Sequence, residues 1–414
     1  MKKLEEMIRV VLLPELSPRS RREVERVMGE LQSLRSSYRR LQPRLRRQRE
    51  EAVILCEELL SHSPEERFRR IRLTRHRLRS RPLVEELLRR SFVAGFEDPR
   101  EARHLAELAS RVTLSLFGAE ELAGGTRGLN DLQAAVLGHQ GHACRRDGRS
   151  AEAKDFFDRC LRFLGLGTGG RRVLAQAHLL HCQLLRDLRR WQEAKGILED
   201  TLESLEEVGN DGLRGRALVL LASVHCGRGD EAGAQAALLE ACVLIDEDRD
   251  PHLARSCWNQ LAAIYAETGH EEAAEGLLEE PAATFGALPP GSAAAARRDW
   301  AVARTRIVRG CWQEARAGLE RARGSFLARG LRIEGALASL DLGIVLAASG
   351  EVRELGAVAA DTGRRVAGEP LGRELSSALG SFLEACREGL PPQQLLRQLQ
   401  QSSRRCRYLG DWGG

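Results

Sequence analysis

Apolar side chains recur along most of this chain at steps of three and four residues, the spacing that gathers them on one stripe of an α-helix. The fullest instance is Trp258, Leu261, Ala262 and Tyr265, then Gly269, then Ala274 and Leu278. Two amphipathic helices separated by a glycine account for it. Glycine supplies the left-handed residue that ends the first helix. Alanine five residues later lets the second helix lie close against the first, where a larger side chain would hold the backbones apart.

The same turn signal returns through the second two-thirds of the chain. It reads Gly148-Arg-Ser-Ala-Glu-Ala153, Arg189-Arg-Trp-Gln-Glu-Ala194 and Gly229-Asp-Glu-Ala-Gly-Ala234, then Gly269-His-Glu-Glu-Ala-Ala274, Gly310-Cys-Trp-Gln-Glu-Ala315 and Gly350-Glu-Val-Arg-Glu-Leu355. The first positions lie 41, 40, 40, 41 and 40 residues apart, and a weaker seventh copy would start at Gly389, 39 residues on. A fixed period of this length is the mark of stacked helix pairs, each burying its apolar face on its neighbours.

These residues resemble the tetratricopeptide pattern, Trp-x2-Leu-Gly-x2-Tyr followed by Gly, Ala and Phe or Leu at fixed offsets. The third copy fits with Leu218, Leu221, Ala222, Gly229, Ala234 and Leu238, and the first with Leu137, Gly141, Gly148, Ala153 and Phe157. The sixth keeps Leu342, Gly343, Leu346 and Gly350 but carries Leu355 at the alanine position. The period is longer than the usual tetratricopeptide one. It is similar to the longer repeats in the helical domains of large bacterial transcription activators of the MalT type. The resemblance implies an all-α, right-handed solenoid of antiparallel helix pairs, with a concave face lined by the first helix of each pair. It runs strongly over residues 130–365 and weakly over 90–130 and 366–405.

The N-terminal third differs. Residues 1–90 hold 24 Lys+Arg and 14 Asp+Glu, about +10, which leaves about −5 for the remainder of a chain whose total is +5. Val24, Val27, Leu31, Leu34, Tyr38, Leu41 and Leu45 form an apolar seam over 24–45 that meets Pro43, a short coiled coil or a helix packed on one partner. A second helix is expected from Arg46 to Leu60. Ser63-Pro64-Glu-Glu66 reads as a cap and first turn, and further helices should open near Arg81-Pro82 and Asp98-Pro99. The glycine-rich stretch 124–130 reads as a loop. The expected organisation is a basic helical region 1–90, an atypical leading pair 91–130, a repeat array 131–405 and a tail 406–414. The seam also offers a dimer contact through the N-terminal helices.

Composition narrows the chemistry. Aromatic residues make up only 4% of the 414, so helix formers such as Ala, Leu, Arg and Glu dominate. No stretch has the 18 or so apolar residues of a membrane span, and Glu5, Glu6 and Arg9 interrupt the apolar start, so a cytoplasmic location is expected. Ten cysteines without a CxxC pair read as reduced thiols inside helices. The basic end lacks any helix-turn-helix, zinc-finger or RNA-binding motif, so a nucleic-acid partner is not expected.

No GxxxxGK[ST], HExxH or GxSxG is present, and neither catalysis nor a cofactor is expected. His139 and His142, with Cys144, and His178 and His181, with Cys182, share helix faces at a metal-ligand spacing. The repeat register makes His178, His181 and Cys182 packing residues between helices, and no metal is expected. Gly165-Leu-Gly-Thr-Gly-Gly170 precedes a helix as a phosphate cradle would, but lacks a preceding strand and a lysine. Carried residue by residue, the resemblance turns His142, Arg145, Arg146, Gln183, Arg186, Arg216, Asn259, Arg297, Trp300 and Arg304 into the groove. Arginines in that setting clamp carboxylates through paired hydrogen bonds. The expected function is therefore a non-catalytic scaffold or adaptor that binds a protein or an acidic peptide in its groove. The alternative is a sensor or regulatory module in bacterial transcription or signalling.

Overall fold

The computed structural model describes residues 18–73, 75–285, 288–289, 291–367, 373–388 and 391–406, and every regular element among them is helical. The chain divides into two compact units, Met1–Thr74 and Arg75–Gly414.

In the first unit α1 spans Pro18–Leu60 and α2 spans Pro64–Leu73. The expected break after Pro43 is absent: α1 is one helix of 43 residues with Pro43 inside it. A buried or exposed proline forfeits one backbone bond and costs about 3 kcal/mol. The strong helix formers on both sides carry the helix through. Ala52, Leu55, Cys56 and Leu59 are buried near its C-terminal end, whereas Leu45 is exposed. The α2 start is as expected, with the Glu66 amide donating to Ser63 Oγ at 3.4 Å.

The second unit begins with the short α3, Arg75–Leu78, and continues as helix pairs. These are α4 (Arg81–Ala94) with α5 (Pro99–Leu114), α6 (Gly125–Arg146) with α7 (Ser150–Gly165), and α8 (Arg171–Asp187) with α9 (Trp191–Val208). There follow α10 (Asp211–Arg228) with α11 (Glu231–Leu244), α12 (Pro251–Glu267) with α13 (Glu271–Phe285), and α14 (Ala293–Val308) with α15 (Trp312–Ala328). The last pairs are α16 (Arg332–Ala348) with α17 (Val352–Val366), and α18 (Arg373–Arg387) with α19 (Pro392–Cys406). Each helix packs on its partner and on the next pair, and α19 returns to pack on α16. The result is an all-α, right-handed solenoid of antiparallel pairs.

The repeat signal is written into the turns. Gly148, Gly229, Gly269, Gly310 and Gly350 all have φ between 73° and 82°. In each copy the next amide reaches back across the helix end, as Arg149 N does to Cys144 O at 2.8 Å and Glu351 N to Leu346 O at 2.9 Å. That bond closes a Schellman motif and satisfies an orphan carbonyl. The second copy has no glycine, and Arg189 takes the left-handed conformation itself at φ 59°. Ala153, Ala194, Ala234, Ala274 and Ala315 are completely buried, as is Leu355 in the sixth copy. On the facing helix, Gly141 meets the ring of Phe157 so closely that a Cβ there would lie 2.9 Å from it. The seventh turn, at Gly389, lies outside the described residues.

One stretch differs from expectation. Residues 125–130 are not a loop but the first turns of α6, which opens on the left-handed Gly125 directly after the left-handed Gly124. Buried Leu129 and Leu132, together with Asn130 Nδ2 donating to Leu166 O at 2.9 Å, fix a helix there despite weak local propensity.

Candidate functional site

The first helices of five successive pairs (α6, α8, α10, α12 and α14) carry all ten residues that the sequence points to. Most of them are buried. His142, Arg145, Arg186, Arg297 and Trp300 each expose 6% or less, which places them inside the protein rather than on an open wall. Buried guanidiniums must find partners, because an unpaired buried charge costs far more than a surface ion pair contributes.

The partners are acidic groups and amides roughly one period away. Arg145 donates to Asp187 Oδ2 at 2.7 Å and to Gln183 Oε1 at 2.9 Å. Arg186 takes the other oxygen of Asp187, at 2.8 Å. Arg216 pairs with Asp250, and its guanidinium lies 5.2 Å from the centre of the Phe92 ring. Arg304 donates to Glu267 at 3.0 Å. Trp300 Nε1 donates to Asp341 Oδ2 at 2.7 Å, and Ser403 on α19 donates to the other oxygen of that carboxylate at 2.5 Å. Asn259 is buried on α12, and His142 stacks on Phe92 with ring centres 5.4 Å apart.

Arg146 and Arg297 come together. Both donate to Glu334 Oε1, at 2.9 and 3.2 Å, and all three side chains are almost fully buried. Arg146 and Glu334 are 188 residues apart, so this triad joins the first regular pair to the sixth. The same guanidiniums hold the turn between α4 and α5: Arg146 Nε donates to Gly95 O and Arg297 to Phe96 O, each at 3.0 Å. The sequence reading missed Phe92, Phe96 and Glu97 because they precede the periodic region. The available signal was a Gly-Phe-Glu-Asp-Pro run beside a helix start already recognised at Asp98. It also missed Asp187, Asp250, Glu334 and Asp341, whose signal was acid placed one period from base.

The alternative chemistries find no support in the geometry. Among the described residues no group of three or more His, Cys, Asp or Glu is placed to hold a metal. Burial drives the His139 pKa down to about 4 and lowers those of His178 and His181, so they are neutral interior rings. His181 lies against Phe157, with ring centres 5.3 Å apart. Burial also pushes the Cys144 thiol up to about 11 and Cys160 up to about 12, which keeps both protonated. In the glycine-rich loop the Thr168 amide donates to Asp131 Oδ1 at 3.0 Å and its hydroxyl to Oδ2 at 2.5 Å. A carboxylate already fills the place a phosphate would take. No helix among the described residues is long and apolar enough to cross a membrane.

No protein-family model matches the chain, and neither does any curated protein sequence. Among solved structures, a Rap protein complexed with competence and sporulation factor is similar over 79% of this chain and 95% of its own, with a TM-score of 0.56 at 13% identity. The TPR domain of P58(IPK) aligns with 78% of this chain and 98% of its own, with a TM-score of 0.23 at 12% identity. The likeness to Rap is one of fold, and it agrees with the repeat register: the chain has a helical-repeat fold similar to that of tetratricopeptide proteins.

Proposed function

We propose that this protein is a non-catalytic binding module that takes an acidic protein segment or peptide on the face formed by the first helices of its repeats. The observation that supports this reading is chemical. That face carries arginines on three successive first helices (α6, α8 and α10) and on α14, each engaged with a carboxylate, an amide or a backbone carbonyl. Such a surface recognises carboxylates and main-chain carbonyls by charge-assisted hydrogen bonds. The fold likeness to a Rap protein solved with a bound factor is consistent with it. It also favours a second reading, in which the bound segment is a signal and the module a regulator.

Arg216 and Arg304 have the most solvent-open side chains among the arginines of the set. Peptides selected from a displayed random library on the full chain should be enriched in Asp and Glu. They should lose at least tenfold in affinity for the variant carrying Arg216→Gln and Arg304→Gln, with unchanged helicity. Selected peptides without acidic bias, bound equally by the variant, would overturn the reading.

A further inference from the structure

The turn between α4 and α5 is held as a ligand is held. Its neighbours in the array close their turns on themselves through Schellman bonds. This turn also closes on itself, as Asp98 N does to Ala94 O at 2.7 Å, but here two successive carbonyls, of Gly95 and Phe96, accept in addition from guanidiniums of α6 and α14. The Phe96 ring is buried between those two groups, each guanidinium carbon 5.8 Å from its centre, and the His252 ring stacks parallel to it at 6.5 Å. Beside it the Glu97 carboxylate accepts from Arg329 at 2.7 Å and from the Ala293 amide, at the start of α14, at 3.1 Å. Two main-chain acceptors, one aromatic ring and one carboxylate are each matched by a donor or a cationic face.

These contacts are specific rather than apolar. A solenoid needing only closure at this point would be served as well by packed hydrophobic residues, since buried ion pairs contribute little net stability. What the buried Arg146–Glu334–Arg297 triad provides is a fixed pair of forks aimed at two successive main-chain carbonyls.

We infer that Gly95-Phe96-Glu97 is an intramolecular occupant of a peptide-recognition site. The external ligand of that site presents an aromatic residue followed by an acidic one, and binds by displacing this turn. The inference rests on the reading that the face binds peptides, and adds to it the motif and the built-in competitor. A tethered occupant competes at a high effective concentration, so the apparent affinity for an external peptide falls by the fraction of time the site stands open.

The test uses a synthetic decapeptide with the sequence of residues 91–100 and the full chain. The variant carrying Phe96→Ala and Glu97→Gln should bind it at least tenfold more tightly than wild type does. A decapeptide with alanine in place of its second phenylalanine should bind neither. On wild type, saturating decapeptide should speed hydrogen exchange at amides 95–98, a readout that does not depend on the variant folding. Equal affinity for wild type and variant, or unchanged exchange on binding, overturns the inference. If library-selected acidic peptides still bind through Arg216 and Arg304 in that case, the broader reading stands without it. Loss of both would remove the binding face altogether.

Discussion

A single residue shows how strictly the repeat dictates backbone. Arg189 occupies the position held by glycine in the other five turns and is the one non-glycine residue with positive φ among the described residues. A side chain in this conformation costs about 1 kcal/mol or somewhat more. Part of that is offset by the guanidinium lying 5.9 Å over the Trp191 ring. Comparing two truncations separates these effects, because both remove the cation and only one removes the strain. Arg189→Gly should be more stable than Arg189→Ala by about 1 kcal/mol in urea titration, and equal stabilities would show that the turn relaxes instead. The groove residues show where reading by single positions stops. Arg145 and Arg186 have the right register to face inward, but register does not reveal that Asp187 closes over both. An exposed clamp and a buried ion pair look alike in one helix and differ only in the acid contributed by the next.

At the scale of the element, the turn glycine and the alanine five residues after it were legible because both answer a local demand: a left-handed residue, and a close approach of two backbones. The fully buried Ala274 is the test case. Ala274→Leu should cost about 1–3 kcal/mol by overpacking between α12 and α13. Gly276, two residues on, is exposed, and a Cβ there meets nothing within 4 Å. Gly276→Ala should therefore stabilise α13 by about 0.5–1 kcal/mol. Thermal melts that moved both variants in the same direction would refute the assigned faces. The two misread elements failed for the converse reason. Pro43 and residues 125–130 carry weak local signals, and the first is overridden by strong helix formers on both sides. The second is overridden by tertiary anchors such as Asn130 on Leu166. The α4–α5 turn was invisible as a site because its partners lie about 50 and 200 residues downstream, where no periodicity points.

On the scale of the whole molecule, an interior this polar makes stability depend on pH in a calculable direction. His139 is held neutral, with its pKa driven down to about 4 by burial and its Nδ1 buried without a hydrogen-bond partner. Burial lowers His178 and His181 as well. In the unfolded chain these rings titrate near 6.5. Between that value and about 4 the unfolded state binds more protons than the folded one, so stability is complete above pH 6.5 and drains away as pH falls through the window. Carboxylates such as Glu86, held below the usual range by its bond to Arg89, add their own loss only at lower pH. Urea titrations should therefore show stability falling steadily from pH 7 to pH 5. His139→Gln, which keeps a polar side chain but cannot take up the proton, should flatten that slope. A slope unchanged in the variant would mean that His139 is reached by water and titrates normally. The same experiment bears on the α4–α5 turn, because Phe92 packs edge-on against His139 with ring centres 6.2 Å apart. Protonating that ring, which the folded protein resists until about pH 4, charges the inner face beneath the turn, so a peptide that competes with the turn should bind more readily only as pH falls to about 4.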